Sequence, residues 1–254
     1  MRKSGYKKYN NWKAIPAALF ILLIGGFTSV KAQMFSVKSL PQRYGTPLTS
    51  AYIGIIPTNF QYKPRGSGSN PQPNAFDFND PLYRLGLDLS GLEINATAGW
   101  NLGPLNNLNY FGLEIGFNSK YPVLRSRPFV LSLPLAIKIG YTRVNDKNSG
   151  NISNDFRQNN ATIGSGLHAG FMLPHRIRIS LEGTINYGFS TRSLGQSSGS
   201  AWIIESRNRI YFDRVLGQIG FVAGVDYRYT RFNGSGIEFD YGEKKMGFIL
   251  GITF

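Results

Sequence analysis

No cysteine occurs in the 254 residues. That absence removes disulfides, thiolate metal sites and cysteine nucleophiles in one step. It also excludes a lipidated amino terminus, because Gln33 stands where the acylated cysteine of a lipoprotein would be needed. Histidine is nearly as scarce, with His168 and His175 the two copies, and no ligand cluster falls at metal-binding spacing. Beyond Gln33 no apolar run approaches the roughly 20 residues of a membrane-spanning helix. Charged residues stop at 17%, below the usual quarter of a soluble domain, whereas aromatics reach 14% and glycine contributes 30 residues. The combination suits a β-rich chain that hides few charges.

The first 32 residues differ in kind from the rest. Arg2, Lys3, Lys7, Lys8 and Lys13 are basic with no acid among them, Ala14 to Phe27 is apolar, and Val30-Lys31-Ala32 occupies the positions a signal peptidase reads. The pattern predicts a signal peptide over residues 1–32, cleavage before Gln33, and export. Six of the 28 basic residues lie in this leader, which leaves 22 basic against 14 acidic residues, a net charge of +8. An exported chain of that charge meets lipid phosphates first, and no helical or aromatic nucleic-acid motif accompanies the charge. Nucleic acid is therefore excluded as the expected partner.

Residues 33–82 read as an irregular segment rich in proline and glycine, containing Pro41, Pro47, Pro57, Pro64, Pro71, Pro73, Pro81 and the piece KPRGSGSNPQPN. A short strand near Ser50 to Ile56 is the one element it allows. From residue 83 to 254 the texture changes to alternation. Phe129, Leu131, Leu133, Leu135, Ile137, Ile139 and Tyr141 are seven successive odd positions, all apolar or aromatic. Period two is the signature of a strand, and it recurs through the rest of the chain. The pattern predicts about eight strands near residues 85–102, 109–119, 128–143, 161–173, 176–190, 201–213, 215–231 and 237–254. A parity slip at Ser90-Gly91 leaves a bulge or a turn open. If it is a turn and Ser50 to Ile56 is also a strand, the count becomes ten.

A soluble sandwich would also alternate, but three features favour an antiparallel up-and-down transmembrane β-barrel. Several segments exceed the length of ordinary globular strands and match what a tilted strand needs to cross a bilayer. Tyr110, Phe111, Tyr141, Tyr187, Phe189, Tyr227, Tyr229 and Phe254 gather toward segment ends, as interfacial girdles do. Connections alternate between short ones, placed at Pro174-His175 and Asp213-Arg214, and the long polar stretches Asn145 to Asn160 and Thr191 to Ser200. In hydrocarbon the last strand must pair with the first, so the terminal MGFILGITF reads as the closing strand, with Phe248, Leu250, Ile252 and Phe254 turned to lipid.

The signal pattern ending at Gln33, the strand FVLSLPLAIKIGY (Phe129 to Tyr141) and the terminal GITF are similar to features of small OmpA/OmpX-like outer-membrane barrels, more specifically those common in Bacteroidota. The resemblance covers residues 83–254 and implies a Gram-negative outer-membrane location. It also implies contact with outer-membrane lipids and lipopolysaccharide, and delivery by the insertion machinery that reads a terminal phenylalanine. It does not specify a role, since such families include adhesins and secretion accessories.

The inward face is expected to hold Glu93, Glu114, Lys138, His168, Arg178, Glu182, Asp226 and Arg228. Both charge signs are present, so the expectation is a filled lumen in which charges pair across the barrel, with Arg178 and Arg228 as partners of Glu182. A structural or interaction role through surface loops follows. The alternatives are a small-solute channel and an accessory subunit of a secretion or gliding complex. A lipid-modifying enzyme ranks lower: the His-x-Ser pattern of outer-membrane lipid A deacylases is missing, since Ala169-Gly170 follows His168 and Arg176-Ile177 follows His175. No catalytic residue and no cofactor is assigned. Gly164, Gly166, Gly220 and Gly224 lie at alternate strand positions rather than in a turn entering a helix, so they do not form a phosphate cradle.

Overall fold

The computed structural model describes residues 49–64, 77–147, 155–191, 198–233 and 239–254. The signal peptide, its cleavage point and most of KPRGSGSNPQPN lie outside these residues. The period-two segments become ten strands: β1 (Thr49–Pro64), β2 (Phe78–Leu89), β3 (Leu92–Leu102), β4 (Leu108–Arg125), β5 (Phe129–Asp146), β6 (Asp155–Leu173), β7 (Ile177–Thr191), β8 (Ser198–Leu216), β9 (Ile219–Asn233) and β10 (Phe239–Thr253). Each pairs antiparallel with its sequence neighbours, and β10 returns to β1, so the sheet is a closed up-and-down barrel. The closing ladder runs from Ser50↔Thr253 to Asn59↔Lys244 and beyond, and the Phe254 N–H donates to the Thr49 carbonyl at 3.0 Å. Closure leaves no open edge at the seam.

The count of ten corrects the favoured eight, and both extra strands come from misread punctuation. Ser90 and Gly91 have φ of 56° and 103°, the left-handed pair of a tight hairpin turn, so one long strand is really β2 and β3. The other strand, β1, lies inside the segment expected to be irregular. Its Pro57 lies directly opposite Pro81 of β2. The ladders on their other flanks skip both residues: the β1–β10 register passes from Ile55↔Phe248 to Thr58↔Lys245, and β2–β3 pairing begins at Tyr83. A missing proline donor is tolerated where the neighbouring ladder has a gap.

The hairpin expected at Asp213-Arg214 is also moved. β8 continues to Leu216, the turn is Gly217-Gln218, and Arg214, with φ of 55°, sits where the register with β9 shifts between Phe212 and Leu216. Arg214 thus marks a bulge. At Pro174–Arg176 the chain makes a short 3-10 turn with His175 and Arg176 in left-handed conformation.

The connections sort by end. Ser90-Gly91, 126–128, 174–176 and 217–218 close one rim, where Thr49 and Phe254 also lie. At the other rim the strand ends are joined in sequence by the stretches 65–77, 103–107, 147–154, 192–197 and 234–238, which are longer. Outside, the barrel presents a belt of apolar side chains, among them Ile53, Leu85, Ile115, Leu135, Ile163, Ile185, Phe248 and Leu250. Inside, alternate residues of the same strands are buried. No helix among the described residues is long and apolar enough to cross a membrane.

Candidate functional site in the barrel lumen

Because successive strand side chains alternate, each residue next to an outward one points into the lumen. The lumen is layered. Toward the long-loop rim, Ile56, Phe60, Phe78, Leu82, Leu102, Leu108, Tyr110, Val144, Phe156, Ala201 and Phe232 form one buried apolar cluster. Phe60 stacks on Phe78 with ring centres 5.2 Å apart and meets Phe156 edge-on at 5.5 Å. Both are favoured aromatic geometries.

Tyr110 ties this layer to the charges beneath. Its hydroxyl donates to Glu243 at 2.9 Å and accepts from the Lys245 ammonium at 2.7 Å, and Lys245 and Glu243 are themselves 2.8 Å apart. Below lies a group of three carboxylates and three cations. Glu205 binds Lys138, lies 3.2 Å from Arg228 and 3.6 Å from Arg207. Glu114 binds Arg228 and stands 3.6 Å from Lys138, and Arg207 binds Glu93. The charges balance, as burial requires. Beside this group, Asp226 takes both arms of the Arg209 guanidinium and a 3.0 Å contact from Arg84.

The space remaining is small. A cavity of about 30 Å³ is bounded by Tyr52, Asn95, Glu114, Glu205, Arg207 and Arg228, among others. That is room for about one water molecule. Tyr52 crosses below it and donates to Asn95 at 2.7 Å. Gly86, opposite Tyr52 on the neighbouring strand, leaves the space that the tyrosine ring fills, for a Cβ there would fall on the ring.

The eight lumen residues read from parity all face inward, but they do not form one constellation. Glu114, Lys138 and Arg228 meet directly, Glu93 joins them through Arg207, and Asp226 belongs to the adjoining Arg84 and Arg209 group. The expected partners of Glu182 are corrected. It accepts from Asn118 at 2.7 Å and pairs with Lys120 at 2.7 Å, whereas Arg178 pairs with Asp213 at 2.9 Å and Arg228 with Glu114 and Glu205. The reason is position: Arg178 lies four residues nearer the turn rim than Glu182, where Asp213 is closer. Phe248, Leu250, Ile252 and Phe254 are exposed on the outer face.

Arg84, Lys120, Glu205, Arg207, Arg209, Glu243 and Lys245 escaped the sequence reading. Arg84 lay just before the expected strand 85–102, Lys120 in an unrecognised extension of β4, and the rest in β8 or the early part of β10. In β8 the signal was present, since Glu205, Arg207 and Arg209 alternate with Ile204, Ser206, Asn208 and Ile210. It was masked because Ser206 and Asn208 make both faces polar there.

The His168 Nε2 lies 3.0 Å from the Ser180 hydroxyl. A nucleophile and base of this kind need an orienter on the other ring nitrogen. His168 Nδ1 has no hydrogen-bond partner, and Glu182, its register partner on β7, is engaged by Lys120 and Asn118. His175 lies on the turn rim. Among the described residues no group of three His, Asp or Glu is placed to hold a metal ion.

No family model matches the chain, and no curated protein matches it. Its backbone is similar to those of solved barrels. One is the outer membrane protease OmpT of Escherichia coli, with a TM-score of 0.46, 9% identity, and 85% of this chain and 99% of that one covered. Another is the β domain of the Bordetella autotransporter BrkA (0.34, 12%, 81% and 98%). A third is Ail, the attachment invasion locus protein of Yersinia pestis (0.28, 13%, 82% and 99%). These likenesses concern the form of the backbone. Closure itself rests on this chain's own ladders.

Proposed function

We propose that the chain is an integral outer-membrane β-barrel with a structural or interaction role, working as an occluded scaffold that presents its long connections at one rim. The observation that carries this reading is the pairing of an apolar outer belt with a lumen filled by an aromatic layer over a balanced ion-pair network. A belt of that kind costs too much in water to be left uncovered, and lipid is the solvent it suits. A lumen so filled leaves the loop rim as the place for contact with a partner. Outer-membrane lipids and lipopolysaccharide surround the belt, and the insertion machinery delivers the chain after signal cleavage before Gln33. The closer kinship to OmpA/OmpX-like barrels of Bacteroidota is supported by FVLSLPLAIKIGY and the terminal GITF.

The test is planar-bilayer recording of the purified full chain, together with affinity purification from native membranes before and after replacing residues 192–197 by a short glycine-serine loop. The expected result is no stepwise conductance and loss of a co-purifying partner in the loop variant. Discrete conductance steps would establish the channel reading in its place.

A further inference from the structure

On β8 the outer belt is interrupted by two successive polar positions. On β8 the outward positions run Trp202, Ile204, Ser206, Asn208, Ile210 and Phe212, because Ile203, Glu205 and Arg209 are buried on the opposite face. Ser206 and Asn208 therefore sit midway between Trp202 at the loop side and Phe212 at the turn side. In the proposed orientation that is the middle of the hydrocarbon, where polar groups without partners are least tolerated.

A second outward polar residue shows how such a group is normally covered. Ser165 on β6 donates its hydroxyl to the Pro134 carbonyl at 2.8 Å, in a gap of the β5–β6 ladder. Asn208 has no comparable cover. It gives one N–H to the Ser206 hydroxyl oxygen at 3.2 Å. Its amide oxygen makes no hydrogen bond among the described residues and is not among the fully buried atoms. Beside it Gly183 of β7 lies opposite Ser206 and contributes no side chain, with Leu181 and Val225 flanking Asn208 on either side. The result is a shallow site with a polar centre and an apolar border.

We infer that a second copy of this chain docks on the outer face of β7 to β9, forming a twofold dimer centred on Asn208. This inference rests on the membrane reading above. A primary amide carries a donor and an acceptor side by side, so two Asn208 side chains related by a twofold axis satisfy each other with two N–H···O=C bonds. Gly183 permits the close approach those bonds need, as small residues do between membrane segments. Each barrel has one such patch among its described residues, so association through it closes at two copies and cannot propagate.

The absence of cysteine makes any introduced cysteine a unique reporter. Val225→Cys places one beside Asn208, and Ile115→Cys places one on exposed belt four strands away. In liposomes of the full chain, oxidant should yield disulfide-linked dimers from Val225→Cys and not from Ile115→Cys. Adding Asn208→Leu to Val225→Cys should lower the linked fraction about tenfold while raising the unfolding temperature of the monomer, since leucine suits lipid better than an uncovered amide. Equal linkage at both cysteines, linkage unchanged by Asn208→Leu, or linkage of Val225→Cys to a different protein in native membranes would each overturn the inference. Alkaline carbonate separates the two readings. Extraction of the parent chain from membranes refutes the membrane reading and the dimer with it, whereas a resistant chain that stays monomeric refutes the dimer alone.

Discussion

Glu205 is the carboxylate on which the lumen network turns, and replacing it by glutamine is the most direct perturbation of the plug. In the parent it faces Lys138, Arg228 and Arg207, all inside the barrel, with Lys138 only 2% exposed at its side chain. Glu205→Gln converts a balanced group of three carboxylates and three cations into one with an excess positive charge. Breaking a buried pair by removing one partner costs about 3–5 kcal/mol, because the survivor remains desolvated and uncompensated. The geometry places this case at the lower end. Lys138 keeps Glu114 at 3.6 Å, Arg228 keeps Glu114, and Arg207 keeps Glu93, so each cation retains one carboxylate. A loss of about 3 kcal/mol is expected. Lys138→Met alone should cost a similar amount, as it leaves Glu205 and Glu114 sharing Arg228. The double variant restores neutrality, so its cost should fall short of the sum by about 1–3 kcal/mol. The assay is the urea midpoint of the folded, heat-modifiable band in liposomes, followed by the double-mutant cycle. Single losses under about 1 kcal/mol with additivity inside about 0.5 kcal/mol would refute the plug as a coupled network.

Leu135 lies midway between Phe129 and Tyr141 on the outer face of β5, so Leu135→Arg should cost about 2–4 kcal/mol in liposomes and Phe129→Arg about 0–1 kcal/mol; equal losses would contradict the assigned depth. Gly86→Ala forces a Cβ onto the Tyr52 ring, and a loss of about 1–3 kcal/mol is expected, partly recovered by Tyr52→Leu; the thermal midpoints of the three proteins decide it. Serine at Phe248, Leu250 and Ile252 keeps the β10 ladders to β1 and β9 but removes the apolar face, so the protease-protected membrane fraction should fall sharply. Full protection of that variant would mean the seam does not face lipid.

Much of this architecture is legible in one dimension because a strand's side-chain period is two. Alternation in Phe129 to Tyr141 assigned faces to β5 directly, and the same parity put Glu93, Glu114, Lys138, Asp226 and Arg228 inside. The apolar alternation from Met246 to Phe254 marked a closing strand before any pairing was known. What parity does not carry is the local backbone state. Ser90-Gly91 is a turn and Arg214 is a bulge because of their left-handed φ values, and from sequence either residue pair fits either role. Pro57 and Pro81 argued against β1 as long as each was considered alone. They are acceptable together because each lies where its other ladder has a gap.

The partners inside the lumen were decided by the tertiary structure. Alternation states that Glu182 and Arg228 point inward, yet their positions around the ring and along the axis follow from strand number, register and tilt. Ten strands place Lys138 of β5 against Glu205 of β8 and Arg228 of β9 against Glu114 of β4, while Glu182 turns to Lys120. Contacts along a strand are set by a fixed 3.4 Å repeat that any reader of the sequence can count. Contacts across the lumen depend on how the sheet curves and closes, and closure is a property of all ten strands together.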